Sequence, residues 1–462
     1  MAWVLRHVGL VLVALLGATG VIACDRAATN AGDPAPAAAV APPSGVAAPP
    51  IAAAPTVAAR PPRELRVLVG GDLIPHRPAL ASAVSIGSAL APLGPLFAGA
   101  DAVVANYEAA TGDVEPFRFR LAHAASPEWM SALRRAGIGA LTVANNHACD
   151  LGLAGVHATL AAAADSGVVA IGGDRHDGWA PRVLVEEDGR RVCAVAWTTL
   201  MNAQTGCAKT VRLASAGLER EGRGRITAAL ARARRRCDAT IAILHGGEEY
   251  APQMREVVDQ ARHAAEAGAD AVVIHHPHVP SPVLVHDTRD GRHVPLFSSV
   301  GNLVSNQGES WAPSMPAVSA ENRRLVCVNG WTRLGMIADL AFRFDGPSAE
   351  LAWGYHLTWT ENEHASDRAV AVPRIASRLL DPSEDWPIVA RLSGDAAGPS
   401  DVFGDPCWLE REGSAGPART AGPRIGAEAS RCRSEIHRPV MHPDVVVPPP
   451  AARAQGRPGR SR

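Results

Sequence analysis

The sequence predicts a layered α/β domain, because short runs of aliphatic and β-branched residues alternate with helical runs along most of the chain. Two further observations favour this class. Several apolar runs end in Gly, Asn, Asp or His, as strands do where the chain turns, and the helical runs carry start and stop residues. Roughly 350 residues between two low-complexity ends are enough for one large domain or two modest ones.

The predicted elements follow one another in β–α order. Ser126 and Pro127 are typical of a helix start, and Gly137 of its end. Pro252 begins another predicted helix, which Gly268 closes. The predicted strands cover residues 64–69, 102–105, 138–144, 168–171, 192–197, 240–244 and 271–274, and the predicted helices cover 126–137, 151–164 and 252–268.

The N-terminus predicts export. An apolar run, residues 8–23, follows Arg6 and is too short for a secure membrane span. It ends in Val-Ile-Ala before Cys24, which resembles a bacterial lipobox, so residues 1–23 are interpreted as a lipoprotein signal peptide with Cys24 as the lipidation site. The alternative is an uncleaved anchor with an incidental cysteine. Asp25 resembles an inner-membrane retention signal, which predicts an extracytoplasmic protein that is lipid-anchored to the inner membrane.

Composition divides the rest of the chain. Residues 24–63 are mostly Ala and Pro and predict an extended tether, because such a segment cannot bury enough apolar surface to fold. Residues 64–365 form the predicted domain. Residues 366–415 are interpreted as a partly ordered extension, and residues 416–462, rich in Pro, Arg, Ala and Gly, as a disordered tail.

Charge and motif content exclude several function classes. The net charge of −1 argues against a nucleic-acid partner. Lys209 is the only lysine and lies in no recognisable motif, which argues against a Walker phosphate loop and a Schiff base, and no G-x-S-x-G motif occurs. The cysteines form no C-x-x-C pair, so a cysteine zinc site is not expected. Some cysteines could pair in an exported protein, but their spacing does not say which.

Five predicted strands lead into polar groups that can bind a metal ion. In open α/β sheets, ligands gather beyond the carboxyl ends of the strands, so we expect these groups to meet in one crevice. Imidazole, carboxylate and amide groups without thiolate suit Mn, Fe or Zn ions. The groups are Asp72, Asn106 or Glu108, Asn146 or His147, His245, and His276 or His278.

This ligand set indicates phosphoester hydrolysis in outline. Two divalent ions bridged by a carboxylate can clamp a phosphoryl group and lower the pKa of a water molecule. His147 would then be free to act as general acid toward a leaving oxygen.

Two segments near these groups have other interpretations. The cluster of Asn146, His147 and Asp150 could be an Asx-rich turn in which Asp150 caps the following helix. His76 and Arg77 are interpreted as part of a solvated loop, with an anion contact as the alternative.

Six segments occur in an order typical of one known family. They are GGD (70–72), NYE (106–108), ANNHACDLGLAGVHATL (144–160), HGGEEY (245–250), AGADAVVIHHPHV (267–279) and SSVGNLV (298–304). In this order they resemble the CapA-type poly-gamma-glutamate capsule synthesis family. That family is similar in fold to calcineurin-like metallophosphoesterases, with an αββα sandwich of two sheets flanked by helices. The resemblance covers about residues 64–310 and extends through residues 333–361.

The resemblance also implies roles for individual residues. It implies a divalent transition-metal cofactor, with two ions of Mn, Fe or Zn. The implied metal ligands are Asp72, Asn106, Glu108, Asn146, His245, His276 and His278, the implied catalytic residue is His147, and the implied substrate-binding residues are Glu249, Ser299 and Asn302.

The sequence departs from the family pattern around the pocket. Gly246 stands where the family has Trp, Ile274 stands where it has Gly before the histidine pair, and Val257 stands where it often has Gln. The closing segment lacks both aromatic residues of the family pattern. These departures predict that the wall of the pocket is altered, whereas the polar residues implied for the site are retained.

The leading functional hypothesis is a membrane-tethered, extracytoplasmic, phosphoesterase-like hydrolase. It would act with membrane synthesis and export proteins on a poly-gamma-glutamate capsule or another surface polymer. The alternative is a non-catalytic component that binds an anionic polymer through a bound metal ion or serves as a scaffold. An inactive relative kept for envelope interactions is a third interpretation.

Overall fold

The computed structural model of the protein describes residues 64–392, apart from several gaps, and residues 432–436. The gaps are residues 77–78, 81, 113–122, 203–206, 208–211, 252–253, 316–317, 319–321, 346–347, 364–373 and 382–384. Cys24, Asp25 and the predicted signal peptide and tether therefore lie outside the described residues.

The described elements alternate strands and helices through most of their length. The strands are β1 (Glu64–Leu73), β2 (Ala102–Tyr107), β3 (Ala110–Thr111), β4 (Ala124–Ala125), β5 (Ala140–Thr142), β6 (Val169–Ile171), β7 (Gly173–Asp174), β8 (Arg182–Glu187), β9 (Arg190–Thr198), β10 (Arg212–Leu213), β11 (Ala239–His245), β12 (Ala271–His275), β13 (Pro280–Asp287), β14 (His293–Val300), β15 (Asn302–Val304), β16 (Leu334–Asp345), β17 (Ser348–Glu363), β18 (Arg374–Leu379) and β19 (Cys432–Ile436). The α-helices are α1 (Ala83–Leu90), α2 (Gly94–Ala98), α3 (Glu128–Arg135), α4 (Gly152–Asp165), α5 (Arg220–Arg234), α6 (Arg255–Glu266) and α7 (Trp386–Leu392), and 3₁₀ turns cover Ala91–Leu93, Val326–Val328 and Gly330–Arg333.

Two large sheets organise these strands. The first has the order β18-β17-β16-β1-β2-β5-β6, with β15 paired to β1 and β19 paired to β17. The second has the order β13-β14-β12-β11-β9-β8. Within them, β1, β2, β5 and β6 are parallel to one another, and so are β9, β11, β12 and β14. Parallel neighbours need crossover connections, which α3, α4, α5 and α6 provide.

Side-chain alternation along each strand separates the layers. In β1, Val67 and Val69 point between the sheets, whereas Leu68 points outward toward the helices. In β11, Ile241 points between the sheets and Leu244 packs under α5 and α6. All five side chains are buried, and each fully buried aliphatic side chain contributes about 1.5–3 kcal/mol. The predicted αββα sandwich is thereby confirmed.

Several predicted boundaries need correction. The helix predicted with Ser126 as its cap and Pro127 at its first position begins at Glu128, and Pro127, with helical dihedral angles, is the cap residue. The start predicted at Pro252 lies outside the described residues, and the described helix begins at Arg255 after Met254 as the cap residue. The strand predicted over residues 138–144 shortens to Ala140–Thr142, because the following residues leave the sheet to enter the candidate centre described below.

The region after the predicted domain contributes to the first sheet. Strand β18 pairs with β17, and Val389 of α7 is buried in the core between the sheets. Strand β19 pairs with β17, which corrects the prediction of a disordered tail for residues 432–436. The other residues of 416–462 lie outside the described part of the chain.

Five cysteines are disulfide-bonded. One bridge joins Cys149 to Cys207 and another joins Cys193 to Cys237, and Cys327 is also disulfide-bonded. These five cysteines therefore offer no thiolate to a metal ion. Within the same part of the chain, no helix combines the length and apolar character needed to cross a membrane.

A buried ion pair links two neighbouring strands of the first sheet. Asp339 of β16 is fully buried and accepts hydrogen bonds from Arg66 Nε and Nη2 at 3.0 and 2.6 Å, and its Oδ2 lies 3.0 Å from His356 Nε2. Burial alone would raise the pKa of Asp339, but hydrogen bonds from His356 and Arg66 outweigh it and hold the pKa well below its usual value of 3.8.

We expect Asp339→Asn to lower the free energy of unfolding at pH 7 by about 3 kcal/mol, because Arg66 would lose its buried partner. A carboxylate with a lowered folded-state pKa stabilises the protein above its unfolded pKa, and this contribution is lost as pH falls below 3.8. Denaturant unfolding at pH 7 and pH 3 should show the difference shrink at the lower pH. Asp287→Asn, which alters an exposed carboxylate–histidine pair, is the control and should change little at either pH.

Candidate metal centre

The carboxyl ends of β1, β2 and β5 meet those of β11 and β12 at one edge of the sandwich. Asp72 lies beside Asn106 in the first sheet, and His245 lies beside His275 in the second. Contacts across the two sheets join these ends, with Asn106 Nδ2 lying 3.2 Å from His245 Nδ1. The structure brings together the following buried residues from the predicted set: Asp72, Asn106, Glu108, Asn146, His147, His245, His276 and His278.

A close backbone approach places Asp72. Gly71 precedes it, and a Cβ atom at Gly71 would lie 2.0 Å from the carbonyl oxygen of Gly301, so only glycine fits there. Gly301 has a φ of 65°, which glycine adopts without strain. Asp72 N donates a hydrogen bond to the same carbonyl at 3.1 Å. The two glycines therefore let β1 and β15 pair closely and turn the Asp72 carboxylate into the centre.

Asn106 acts as a hydrogen-bond donor to Asp72. Its Nδ2 donates to Asp72 Oδ1 at 2.8 Å. Its Oδ1 accepts from Thr142 Oγ1 at 2.8 Å and from Asn145 Nδ2 at 3.2 Å. Because its oxygen is already satisfied by these donors, Asn106 orients Asp72, and the predicted ligand role of Asn106 does not fit this arrangement.

Glu108 is the central residue of the cluster. Its carboxylate is fully buried, and neither oxygen has a hydrogen-bond partner among the described residues. Oε1 lies 3.9 Å from His245 Nε2 and 3.8 Å from His278 Nε2. A buried carboxylate without donors costs several kcal/mol unless a cation compensates it.

His245 and Asn146 form the side of the centre nearest the second sheet. His245 Nε2 lies 2.8 Å from Asn146 Oδ1, and its Nδ1 accepts from Asn106 Nδ2. The ring is therefore in the Nε2–H tautomer. Nε2 and Oδ1 face the same space as the Glu108 carboxylate, so these atoms could ligate an ion in place of that proton.

The loop after β12 presents His276 and His278 in a strained backbone. His276 has a φ of 101° and His278 a φ of 60°, values that non-glycine residues rarely adopt. His276 N lies 3.4 Å from Asp72 Oδ2, and His276 Nδ1 is buried without a hydrogen-bond partner among the described residues. The positive φ values occur at the two histidines themselves and not at Ile274.

His278 is held by residues from two other segments. Its Nδ1 lies 3.2 Å from Asp72 Oδ2 and 3.0 Å from Asn302 Oδ1. Asn302 Nδ2 donates in turn to Gln307 Oε1, and Gln307 Nε2 donates to Tyr250 Oη. Asn302, predicted to bind substrate, therefore positions His278, and Gln307 and Tyr250 extend this network beyond the predicted residues.

The two other predicted substrate-binding residues differ in placement. A carboxylate oxygen of Glu249 lies within 4.8 Å of ring nitrogens of His276 and His278, so Glu249 belongs to the centre. Ser299 is fully buried and donates its hydroxyl hydrogen to the carbonyl of Val279 at 2.7 Å. The hydroxyl hydrogen of Ser299 therefore binds the loop after His278 and is not available to a substrate.

His147 is oriented by Asp150. Its Nδ1 lies 2.6 Å from Asp150 Oδ2, and its Nε2 lies 3.3 Å from Asn202 Nδ2. Helix α4 begins at Gly152 with Leu151 as its flanking residue, and no side chain caps it. The interpretation of Asp150 as a helix cap is therefore wrong, because its carboxylate is engaged by the His147 ring.

His123 and His76 extend the cluster and were not identified as site residues from the sequence. His123 N donates to Asp150 Oδ2 at 2.7 Å, and the His123 ring stacks on the His147 ring with centroids 3.8 Å apart. His76 contacts His123 edge-on at 5.3 Å, and its Nδ1 accepts from Asn306 N at 3.0 Å. His76 is therefore packed against the centre, which corrects the solvated-loop interpretation, whereas Arg77 lies outside the described residues.

The electrostatics of the centre follow from burial. Burial raises the pKa of Glu108 well above its usual value, and it lowers the pKa of His147 to about 3. Burial also raises the pKa of Asp150 to about 7, although the N–H of His123 opposes this shift. Burial alone would lower the pKa of His278, but the charge of Glu108 and the hydrogen bond to Asp72 raise it to about 10.

The donor set fits divalent metal ions. Oxygen and nitrogen atoms of three groups lie within 4.8 Å of one another: Glu108 with His245 and His276, Asp72 with Glu108 and His278, and Glu249 with His276 and His278. Glu108 occurs in two of them, which suits a bridging carboxylate. Glu108 is also within reach of His123 and His147, but those rings are stacked at an interplanar angle of 18°. Stacked rings keep their lone pairs in two nearly parallel planes, and an ion in the plane of one ring lies outside the plane of the other, so these two histidines do not suit ligation of one ion.

Comparison with known proteins identifies the family of the chain. A family model described as the bacterial capsule synthesis protein PGA_cap matches residues 66–307, which is just over half of the chain. The chain is 25% identical over 220 residues to the PGA biosynthesis protein CapA of Bacillus subtilis (strain 168), covering 46% of this chain and 56% of that protein. It therefore spans little more than half of that relative's length. The matched residues include every side chain of the centre, and the chain belongs to the bacterial capsule synthesis protein PGA_cap family.

Proposed function

We propose that this protein is a metal-dependent phosphoesterase-like hydrolase that acts in making or exporting a surface polymer such as poly-gamma-glutamate. The observation that carries the proposal is the Glu108 carboxylate, buried without a hydrogen-bond donor among imidazoles and a second carboxylate. Such a group is costly without a cation, and the residues around it are those that Mn, Fe and Zn ions prefer.

Two ions would be held by residues of both sheets. Bound divalent ions supply positive charge that polarises phosphoryl oxygens and lowers the pKa of water toward neutrality. The side chains proposed to hold them are Asp72, Glu108, Asn146, His245, His276 and His278, with Glu249 beside the two histidines of the loop after β12.

His147 is proposed to transfer the proton to the leaving oxygen. Asp150 holds the proton of Nδ1, so Nε2 is the nitrogen left for proton transfer, and its hydrogen bond from Asn202 would give way to the leaving oxygen when a substrate binds. Burial keeps the ring neutral when no substrate is present. The negative charge of a phosphoryl group beside Nε2 would favour uptake of a second proton there from water. The leaving oxygen would take this proton as its bond to phosphorus breaks, which returns the ring to its neutral form.

The cellular setting is also proposed. Capsule polymers lie outside the cell, and Cys24 in its lipobox-like context would attach the chain to the inner membrane. The proposed partners are the surface polymer and the membrane proteins that synthesise or export it. The lack of a marked positive net charge supports a partner other than nucleic acid.

A model phosphodiester tests the catalytic part of the proposal. The full-length protein is stripped with a chelator, reloaded with Mn²⁺, Fe²⁺ or Zn²⁺, and assayed with bis(4-nitrophenyl) phosphate. We expect hydrolysis only in a reloaded form, together with one or two bound ions per chain. Retention of ions without hydrolysis, but with ion-dependent binding of polyglutamate, would replace the enzyme with the non-catalytic polymer-binding component.

A further inference from the structure

The loop after β9 joins the two sheets at the candidate centre. Its described residues, 198–202 and Cys207, are called the bracing loop below. Thr199 N donates to the carbonyl of His245 at 3.0 Å, and Asn202 N donates to the carbonyl of Asn146 at 3.0 Å. His245 and Asn146 are the residues whose side chains share a 2.8 Å hydrogen bond across the sheets. The bracing loop therefore fixes the backbones of both.

A disulfide bond ties the same loop to the segment between β5 and α4. Cys207 is bonded to Cys149, which lies in sequence between His147 and Asp150. Both cysteines are buried, at 2% and 1% exposure, and they pack with Val156 in a small apolar cluster. The disulfide bond thus joins the bracing loop to the segment that carries the His147–Asp150 pair.

The side chain of Asn202 completes the restraint of the His147 ring. Since Asp150 holds the proton on Nδ1, Nε2 carries a lone pair and accepts a hydrogen bond from Asn202 Nδ2 at 3.3 Å. His123 covers one face of the ring. The ring is therefore held at both nitrogens and on one face, by residues from three different segments.

We propose that Asn202 is a positioning residue for His147, and that the Cys149–Cys207 disulfide keeps the bracing loop in the place where Asn202 can act. A histidine ring must be held within small angular limits for proton transfer, and Asp150 and Asn202 supply that restraint before a substrate takes the place of Asn202 at Nε2. The inference rests on the proposed function only for the role of His147 as proton donor. The contacts that it concerns can be measured without any catalytic assay.

The test compares two disulfides of the same chain. In the full-length protein, Asn202→Ala and the double variant Cys149→Ser/Cys207→Ser are set beside the control Cys193→Ser/Cys237→Ser. Both bridges close loops of similar length, with separations of 58 and 44 residues, but only the first lies at the centre. Histidine rings are labelled with ¹⁵N, the His147 signals are assigned with His147→Gln, and amide hydrogen exchange of residues 145–152 is followed by mass spectrometry.

We expect the Nε2 resonance of His147 to move toward that of an unbonded imine nitrogen in Asn202→Ala and in the Cys149/Cys207 variant, but not in the control. Exchange of residues 145–152 should accelerate at least roughly tenfold in the Cys149/Cys207 variant alone. An unchanged His147 resonance in Asn202→Ala, or equal exchange in both bridge variants, would overturn the proposal. Asn202 is exposed, so its variant remains informative even if the cysteine variant does not fold. If the protein binds no metal or hydrolyses no phosphoester, the proposed function is wrong. The His147 resonance and the exchange of residues 145–152 would still test the role of Asn202 and the disulfide.

Discussion

Glu108→Gln is expected to weaken metal binding by more than about 100-fold, because the substitution removes the one carboxylate shared by two of the candidate ligand groups. Loss even of outer-shell partners of a metal site costs roughly 10–100-fold in affinity, and a shared ligand should cost more. Glutamine keeps the shape of the side chain, so the loss would reflect charge and ligand character. The measurement is metal content after gel filtration, with affinity from calorimetric titration.

The same substitution should have the opposite effect on the metal-free protein. A buried charge without a donor destabilises the fold, and an amide of equal size carries no charge. In chelator, Glu108→Gln should therefore unfold at a temperature equal to or higher than that of the wild type. Glu309→Gln, which alters a carboxylate that already accepts a hydrogen bond from Asn306, serves as the control. Wild-type metal content in Glu108→Gln would show that the centre is not organised around this carboxylate.

His147→Gln is expected to lower kcat for the model phosphodiester by about 10²–10⁴-fold, the usual contribution of a positioned proton donor. The bound ions and KM should change little, because the proposed ligands are other residues and the step affected follows binding. Asp150→Asn should show a smaller loss in the same direction, because the amide can no longer hold the Nδ1 proton as a carboxylate does. Steady-state kinetics together with metal analysis of each variant separate these effects.

His157→Gln supplies the matched control for this experiment. His157 lies ten residues further along the chain, on the exposed side of α4, and has no place in the centre. Its variant should retain wild-type turnover and metal content. If His147→Gln instead loses its ions along with its activity, His147 is a ligand and the proposed division between ligation and proton transfer is wrong.

Much of the fold could be predicted from the sequence because strands, helices and turns depend on residues that are close together along the chain. Apolar runs ending in polar residues identified strands at Asp72, Asn106, His245 and His275, and each strand is present with a boundary shifted by a few residues. Helix starts were predicted less accurately. Ser126 and Pro252 are typical of a helix start, but such residues do not determine in which of two neighbouring turns the helix begins. The order of the motifs indicated the family, and the family model matches nearly the same residues.

Pairings between distant residues could not be predicted in this way. Asn146 and His245 are separated by 99 residues, and their hydrogen bond exists only because two sheets bring two strand ends together. The same holds for the Cys149–Cys207 bridge, since spacing alone permits many pairings among the cysteines. The sequence could not identify His123 as a site residue, because none of the residues next to it along the chain indicates that its ring would stack on His147.

The sequence by itself determined which chemical groups this protein brings to its strand ends, and hence a metal-binding composition without thiolate. Only the tertiary structure decided what each group does there. It turned the oxygen of Asn106 away from the centre, engaged Asp150 with His147, and left Glu108 without a hydrogen-bond donor among the described residues. The physical reason is that composition and periodicity depend on neighbours along the chain, whereas hydrogen-bond partners, burial and pKa values depend on neighbours in space.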